Sequence, residues 1–312
     1  MYSYRGLEAR LKERGIGRSE LTALLGLSSR TIAKIGKGEK LSRAVMEKLA
    51  GFFACGKEDL VREISDNPVL QFLREEKEAK VSGGLYHELQ VRMTYNSNHI
   101  EGSRLTEDQT RMIFETNTLD IGDGIPVDDV LETVHHFRAI DYVIDCADEV
   151  LTEEIVKKLH YILKHDTKDS SLDWFAVGDY KKRPNTVGGR ETVKPEDVPE
   201  RMKELLEAYN KKPEVTMEDV IAFHAAFERI HPFQDGNGRV GRLIALKECL
   251  RHNIVPFLIE DSKKVFYYRG LREWPNEKGY LIGTCFDGQD TFRQMIDRFE
   301  IPTGERGIRP LP

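Results

Sequence analysis

His231-Pro232-Phe233-Gln234-Asp235-Gly236-Asn237-Gly238-Arg239-Val240-Gly241-Arg242 is the densest chemical stretch of this 312-residue chain. An apolar helical pattern ends near Ile230 just before it. A second pattern follows, with Leu243, Ile244 and Leu246 turned inward. Between them Asp235 to Gly238 reads as a loop. Gly236 and Gly238 permit dihedrals that aim successive backbone N–H groups into one concavity. The helix that follows adds unpaired N–H groups and a dipole that favours phosphate. Arg239 and Arg242, three residues apart, share a helix face and can grip neighbouring phosphates. Asp235 is a hard oxygen ligand suited to Mg²⁺, and His231 at the loop mouth can take a proton from an attacking hydroxyl. Phe233, apolar in a polar loop, is expected to anchor it in the core. A plain glycine-rich turn carries one or two of these features, whereas a base, a metal ligand, an amide nest and two arginines together point to phosphate chemistry.

The surroundings of the loop are helical. The periodicity predicts helices over 69–100, 107–115, 127–147, 153–164, 195–209, 217–228, 238–251, 262–272 and 277–299. The exception is 179–194, where Gly188-Gly189 separates Thr186-Val187 from Thr192-Val193, the pattern of a β-hairpin. The fold class expected is therefore all-α with one hairpin. No run of about 18 apolar residues exists, so no membrane span is expected. The start of the chain shows no basic segment followed by an apolar core, so no leader is expected. Cys55, Cys146, Cys249 and Cys285 are scattered and read as reduced thiols of a cytoplasmic protein. Hydrophobic residues at 39% and charged residues at 32% exclude a disordered chain.

The net charge of −6 conceals an asymmetry. Residues 1–62 hold 13 Lys and Arg against 7 Asp and Glu, an excess of six positive charges that leaves −12 on the remainder. A basic head on an acidic body suggests different partners for the two parts. Within the head, Arg18 to Leu25 places Leu21, Leu24 and Leu25 at helical spacing, and Gly26 ends that helix. Ser28 or Ser29 can cap the next, Thr31 to Lys37, with Ile32 and Ile35 inward. A further helix spans Leu41 to Phe53. Asn67-Pro68 marks a junction, which sets two domains, 1–66 and 67–312.

The loop resembles the signature of Fic-domain proteins, H-P-F-x-[DE]-G-N-G-R-x-x-R, at every specified position. His224 to Ile230 is similar to the family's approach to the loop. Gly178-Asp179-Tyr180 with Val187-Gly188 resembles its flap hairpin, here 179–194. The resemblance implies a Fic-type helical bundle that moves AMP from ATP to a Tyr, Thr or Ser hydroxyl of a target protein docked on the flap, and of the chain itself. It implies His231 as base, Asp235 as Mg²⁺ ligand, and Gly236, Asn237 and Gly238 as the phosphate cradle. Arg239 and Arg242 would then grip the β- and γ-phosphates. Val187, Gly188, Tyr268 and Asn276 would border the nucleotide, although the Tyr267-Tyr268 pair also suits core packing. The target edge departs from the family pattern, since Thr192-Val193 stands where a Pro-Pro pair is common.

Two further resemblances complete the reading. Ser97 and Glu101, four apart on one helix face, resemble the inhibitory helix motif of self-restraining Fic proteins, here helix 85–102, with Glu101 set against Arg242. A carboxylate in the last turn opposes the helix dipole, which makes a cationic partner the more expected. Leu21 to Lys37 resembles a Cro/C1-type helix-turn-helix. Ser29, Arg30 and Lys34 would lie on its recognition helix, with Lys37, Lys40 and Arg43 near phosphates and a homodimer expected for DNA binding. A small helical module for protein contacts would show the same pattern. A different overall function also fits the motifs: a transcription regulator whose Fic domain senses nucleotide. The intact His231 and Arg239 favour the enzyme.

Overall fold

Asn67 caps the helix that begins at Pro68: its Oδ1 accepts the Leu70 N–H at 3.1 Å, and proline fills the first helical position. At this point the chain divides into two compact units, Met1–Asp66 and Asn67–Pro312. The structure, a computed structural model, describes residues 2–36, 39–63, 67–120 and 124–301. Lys37 and the tail from Pro302 lie outside them.

The smaller unit pairs β1 (Tyr2–Ser3) antiparallel with β2 (Arg62–Glu63) and holds α1 (Arg5–Glu13), α2 (Glu20–Leu25), α3 (Ser29–Gly36) and α4 (Arg43–Phe53). The strand pair joins the two ends of the unit and was not foreseen, because two-residue strands carry no periodicity. Gly26 leaves α2 in the left-handed conformation at φ +65°, and Ser28 Oγ accepts the Thr31 N–H at 3.2 Å to start α3. The unit has its own core, with Leu7, Leu21, Leu49 and Leu60 fully buried. Leu24, one of the apolar positions at helical spacing, is 51% exposed.

The larger unit is a helical bundle. It comprises α5 (Pro68–Ala79), α6 (Leu85–Ile100), α7 (Glu107–Thr116), α8 (Val127–Cys146), α9 (Glu153–Lys164), the hairpin β3 (Thr186–Val187) and β4 (Arg190–Glu191), α10 (Val198–Asn210), α11 (Met217–Ile230), α12 (Asn237–Arg251), α13 (Lys264–Glu273) and α14 (Gly279–Arg298). Helix α12 is its axis. It packs against α11, α8, α9 and α6, and Val240, Leu243, Ile244, Leu246, Cys249 and Leu250 are all buried on it. A helix apolar nearly all round has to be central. Capping boxes start α7 (Thr106 with Gln109) and α11 (Thr216 with Asp219).

Two expectations are corrected. The helix read over 69–100 is two helices: Lys80 closes α5 at φ +53° and Gly83 follows at φ +74°, conformations that no continuous helix accommodates. The hairpin's second strand is Arg190–Glu191, not Thr192-Val193. Gly188 and Gly189, at φ +55° and +77°, form a two-residue turn that pairs Val187 with Arg190.

Candidate active site

The loop between α11 and α12 owes its shape to a few side chains. His231 ends α11 in the left-handed conformation at φ +52°, unusual for a residue with a side chain, and its N–H donates to the Phe227 carbonyl. Phe233 is fully buried and stacks on His160 with ring centres 4.0 Å apart. Asn237 ties the loop to itself: Oδ1 accepts the Phe233 N–H at 2.8 Å and Nδ2 donates to the Phe233 carbonyl at 2.9 Å. Gly236 supplies the positive φ, +78°, that caps α12. Gly238 does not. It is ordinarily helical, and a Cβ there would lie 2.1 Å from Glu101 Oε1, so any larger residue would displace that carboxylate. The expectation of a special backbone at both glycines is corrected on that point.

Arg239 and Arg242 leave α12 in different directions. Arg239 pairs with Glu132 of α8 and reaches Asp235 at 3.5 Å, while Lys164 of α9 donates to Glu132 at 2.5 Å and Asp235 at 2.7 Å. Arg242 donates through Nε to Ser97 Oγ at 3.0 Å, and through Nη2 to the Ser97 carbonyl at 2.9 Å and Glu101 Oε1 at 2.7 Å. Tyr267, itself hydrogen-bonded to His224, lies 3.3 Å from Arg242 Nη1. Tyr268 Oη donates to the Ile100 carbonyl at the end of α6.

Arg242, Glu101, Tyr267 and Tyr268 open on one cavity of about 500 Å³. Glu101, Glu228, His231, Gly238 and Arg242 form its floor, Thr186, Val187, Gly188 and Arg190 of the hairpin one wall, and Tyr267, Tyr268, Leu271 and Arg272 of α13 the other. Asp235, Gly236, Asn237 and Arg239 are not among its lining residues, nor is Asn276, which is exposed in the turn after α13. Burial, then the charge of Lys181, pushes the His231 imidazole down to about 4, so it is neutral at physiological pH. Burial, then the Glu101 charge, pushes Glu228 up to about 8. Burial opposes ionisation of Asp235, but the Arg239 and Lys164 charges outweigh it and hold the carboxyl well below its ordinary range. Asp235 keeps its side chain 52% exposed, so a carboxylate oxygen remains for a cation. Among the described residues no group of three or more His, Cys, Asp or Glu could hold a metal by itself.

Glu132, Lys164, Lys181 and Glu228 were missed by the sequence reading. Only Glu228 carried a local signal, lying three residues before His231 on the same helix.

On the smaller unit, Ser29 and Arg30 are exposed on α3, while Lys34 is half-buried and 3.9 Å from Glu39.

A helical bundle whose axial helix follows a glycine-containing loop headed by an unprotonated histidine has the architecture of a Fic-type domain. Residues 150–249 match the Fic/DOC family, and residues 7–66 match the Cro/C1-type HTH DNA-binding domain. The chain carries a Fic domain behind an N-terminal Cro/C1-type helix-turn-helix domain. It is 27% identical over 186 residues to a protein adenylyltransferase Fic of Drosophila mojavensis, covering 57% of this chain and 35% of that protein. The match thus spans about a third of the relative's length. A Fic domain containing signaling protein from Bacteroides thetaiotaomicron superposes with a TM-score of 0.60 at 25% identity, over 77% of this chain and 96% of that one. A Fic family protein from Desulfovibrio desulfuricans gives 0.58 at 20% identity over 78% of each chain, a likeness of fold.

Proposed function

We propose that the larger unit transfers AMP from ATP to a Tyr, Thr or Ser hydroxyl of a target protein, and to itself, and that Glu101 restrains it. The observation that carries this is the meeting, in one cavity, of a neutral His231 with an Arg242 already held by Ser97 and Glu101. The hydroxyl would give its proton to the imidazole as its oxygen attacks the α-phosphorus. The bond to the bridging oxygen breaks and pyrophosphate leaves. Asp235, with its exposed carboxylate, would hold Mg²⁺ together with the nucleotide; such an ion neutralises phosphate charge as the leaving group departs. Arg242 would orient the terminal phosphate, which it cannot do while Glu101 occupies it. The adenylyltransferase name of the Drosophila relative supports the reaction type.

The test is incubation with α- or γ-labelled ATP, with and without cell extract. Label on protein from the α-position alone is expected, and it should vanish in His231→Ala while ATP still binds. Label from the γ-position would point to phosphorylation and overturn the reading.

The smaller unit is proposed to bind DNA through α3, as a dimer, since a single module gives little specificity. Its net charge over residues 1–62 supports this. Residues 1–66, which enclose their own core, should bind DNA fragments with an affinity that falls steeply with salt. Salt-independent binding, or none at low salt, would favour a protein partner.

A further inference from the structure

Lys181 is buried to 3% exposure although its side chain is charged. Its backbone N–H donates to the Pro232 carbonyl at 2.9 Å. Its ammonium donates to Asn185 Oδ1 at 2.8 Å and Thr192 Oγ1 at 2.6 Å, and reaches the Ile230 carbonyl at 3.5 Å. The lysine thus brackets His231 from both sides along the chain. Asn185 and Thr192 are the residues next outside the paired positions Thr186 and Glu191, so they form the neck of the hairpin. Thr192 Oγ1 also lies 3.0 Å from the Asn185 carbonyl, and Asn185 Nδ2 donates to the Phe233 carbonyl at 3.1 Å. The neck is thus closed on itself by Thr192 and Asn185, and tied to the loop through Lys181 and through the Asn185 amide.

Burial alone pushes the Lys181 ammonium down to about 8, and no carboxylate relieves it. A buried cation without a counter-ion is costly, and a neutral side chain could hold Asn185 and Thr192 without that cost. What the charge adds is its place beside His231. The groups that act on this imidazole are Lys181, whose charge disfavours its protonation, and the Glu228 backbone carbonyl and the Glu101 and Asp235 charges, which favour it. Glu228 lies 3.9 Å from His231 Nδ1 on α11 and is largely protonated at neutral pH, Glu101 is paired with Arg242, and Asp235 with Lys164.

We propose that Lys181 is a positioning residue for the transfer step: with Asn185 and Thr192 it locks the neck of the hairpin to the catalytic loop, so that a segment laid on the hairpin presents its hydroxyl at His231. This rests on the AMP-transfer reading above. An edge strand accepts an extended segment as an additional strand, and such docking is useful only if the edge is fixed relative to the base. A displacement of about 1 Å at this joint would cost on the order of a hundredfold in rate.

The experiment uses the full chain with Glu101→Gly as parent, comparing Lys181→Met and Asn185→Ala. Three quantities are read: self-incorporation of α-labelled ATP, ATP affinity by calorimetry, and the titration midpoint of His231 Cε1–H by NMR. For Lys181→Met the expected result is a loss of about tenfold or more in rate, ATP affinity within about threefold, and a His231 midpoint raised by roughly half a pH unit or more. Asn185→Ala keeps the charge and opens the neck, so its rate falls while the midpoint stays. An unmoved midpoint in Lys181→Met, or a parental rate in both variants, overturns the proposal. If Lys181→Met does not fold, a parental rate in Asn185→Ala overturns it and a reduced rate at unchanged ATP affinity supports it. If the parent incorporates no label, the transfer reading falls instead; the lysine is then judged by the His231 midpoint, and no movement overturns it.

Discussion

Arg239 and Arg242 stand one turn apart on α12 with side chains equally buried at 4% exposure, yet they are held in different ways. Arg239 belongs to a four-membered network in which Glu132 and Asp235 face two cations, Arg239 and Lys164, drawn from α8, α9 and α12. Both carboxyls are depressed below their ordinary range by those cations, against the burial that would raise them. Arg242 pairs with one carboxylate, Glu101, which caps the C-terminal end of α6 and lines the open cavity. Its other partners are a hydroxyl, a backbone carbonyl and a phenol. The first arrangement is part of how the bundle closes. The second is a single ion pair at a cavity, whose loss need not take the fold with it. A network buried on three helices and a pair at a cavity mouth differ in what their loss exposes.

Breaking the Arg239 side should have the largest effect on stability. Glu132→Ala leaves two buried cations with only Asp235 between them, and removing one partner of a buried pair typically costs about 3–5 kcal/mol. Denaturant unfolding of the full chain measures this. A loss below about 1 kcal/mol would mean that the network is no more built-in than the Glu101 pair.

The next effect depends on pH and lies on the Arg242 side. Glu228 is held up to about 8 by burial and then by Glu101, above an unfolded value near 4.5. The folded state therefore keeps a proton that the unfolded chain releases. Stability falls as pH rises from about 4.5 to about 8 and is level outside that window. Glu228→Gln mimics the protonated form and removes the penalty. Relative to the parent, it should gain roughly 2–3 kcal/mol between pH 5 and pH 7.5. Parallel unfolding curves at the two pH values would show that Glu228 is ionised in the fold.

How much of this was legible depends on where the partners sit. The loop from His231 to Arg242 is contiguous, so its histidine, glycines and arginines announce themselves within twelve residues. Ser97 and Glu101 were readable because four-residue spacing places them on one helix face, and α6 turns that face to Arg242. Glu132 and Lys164 gave no signal, since each gains its meaning from a partner tens of residues away, and Lys181 gave none because its meaning comes from the loop at Ile230 and Pro232. Local geometry also misled. Gly238 was read as a backbone device, whereas it is helical and lies under the Glu101 carboxylate, which a larger residue would displace. The strand assigned to Thr192-Val193 fitted β propensity, but the two-glycine turn fixes the register two residues earlier, and Thr192 closes the neck instead.

The smallest effect on the fold should accompany the largest gain in activity. Glu101→Gly removes the carboxylate that pairs with Arg242, but the guanidinium keeps Ser97 and Tyr267 and lines an open cavity. Solvation through that opening should hold the loss to about 1–2 kcal/mol, well under that of Glu132→Ala. Glycine at the end of α6 is also a tolerated helix terminator. If Arg242 is thereby freed to orient the terminal phosphate, self-incorporation of α-labelled ATP should rise tenfold or more, worth about 1.4 kcal/mol per decade in the barrier. Glu101→Gly combined with Arg242→Ala should lose that gain, because the freed arginine is what produces it. Glu101→Gln separates charge from shape: it keeps the bulk beside Gly238 and loses the ion pair, so an intermediate rate is expected. Equal rates for the intact chain and Glu101→Gly would reduce the Glu101–Arg242 pair to a structural contact and erase the distinction between the two arginines.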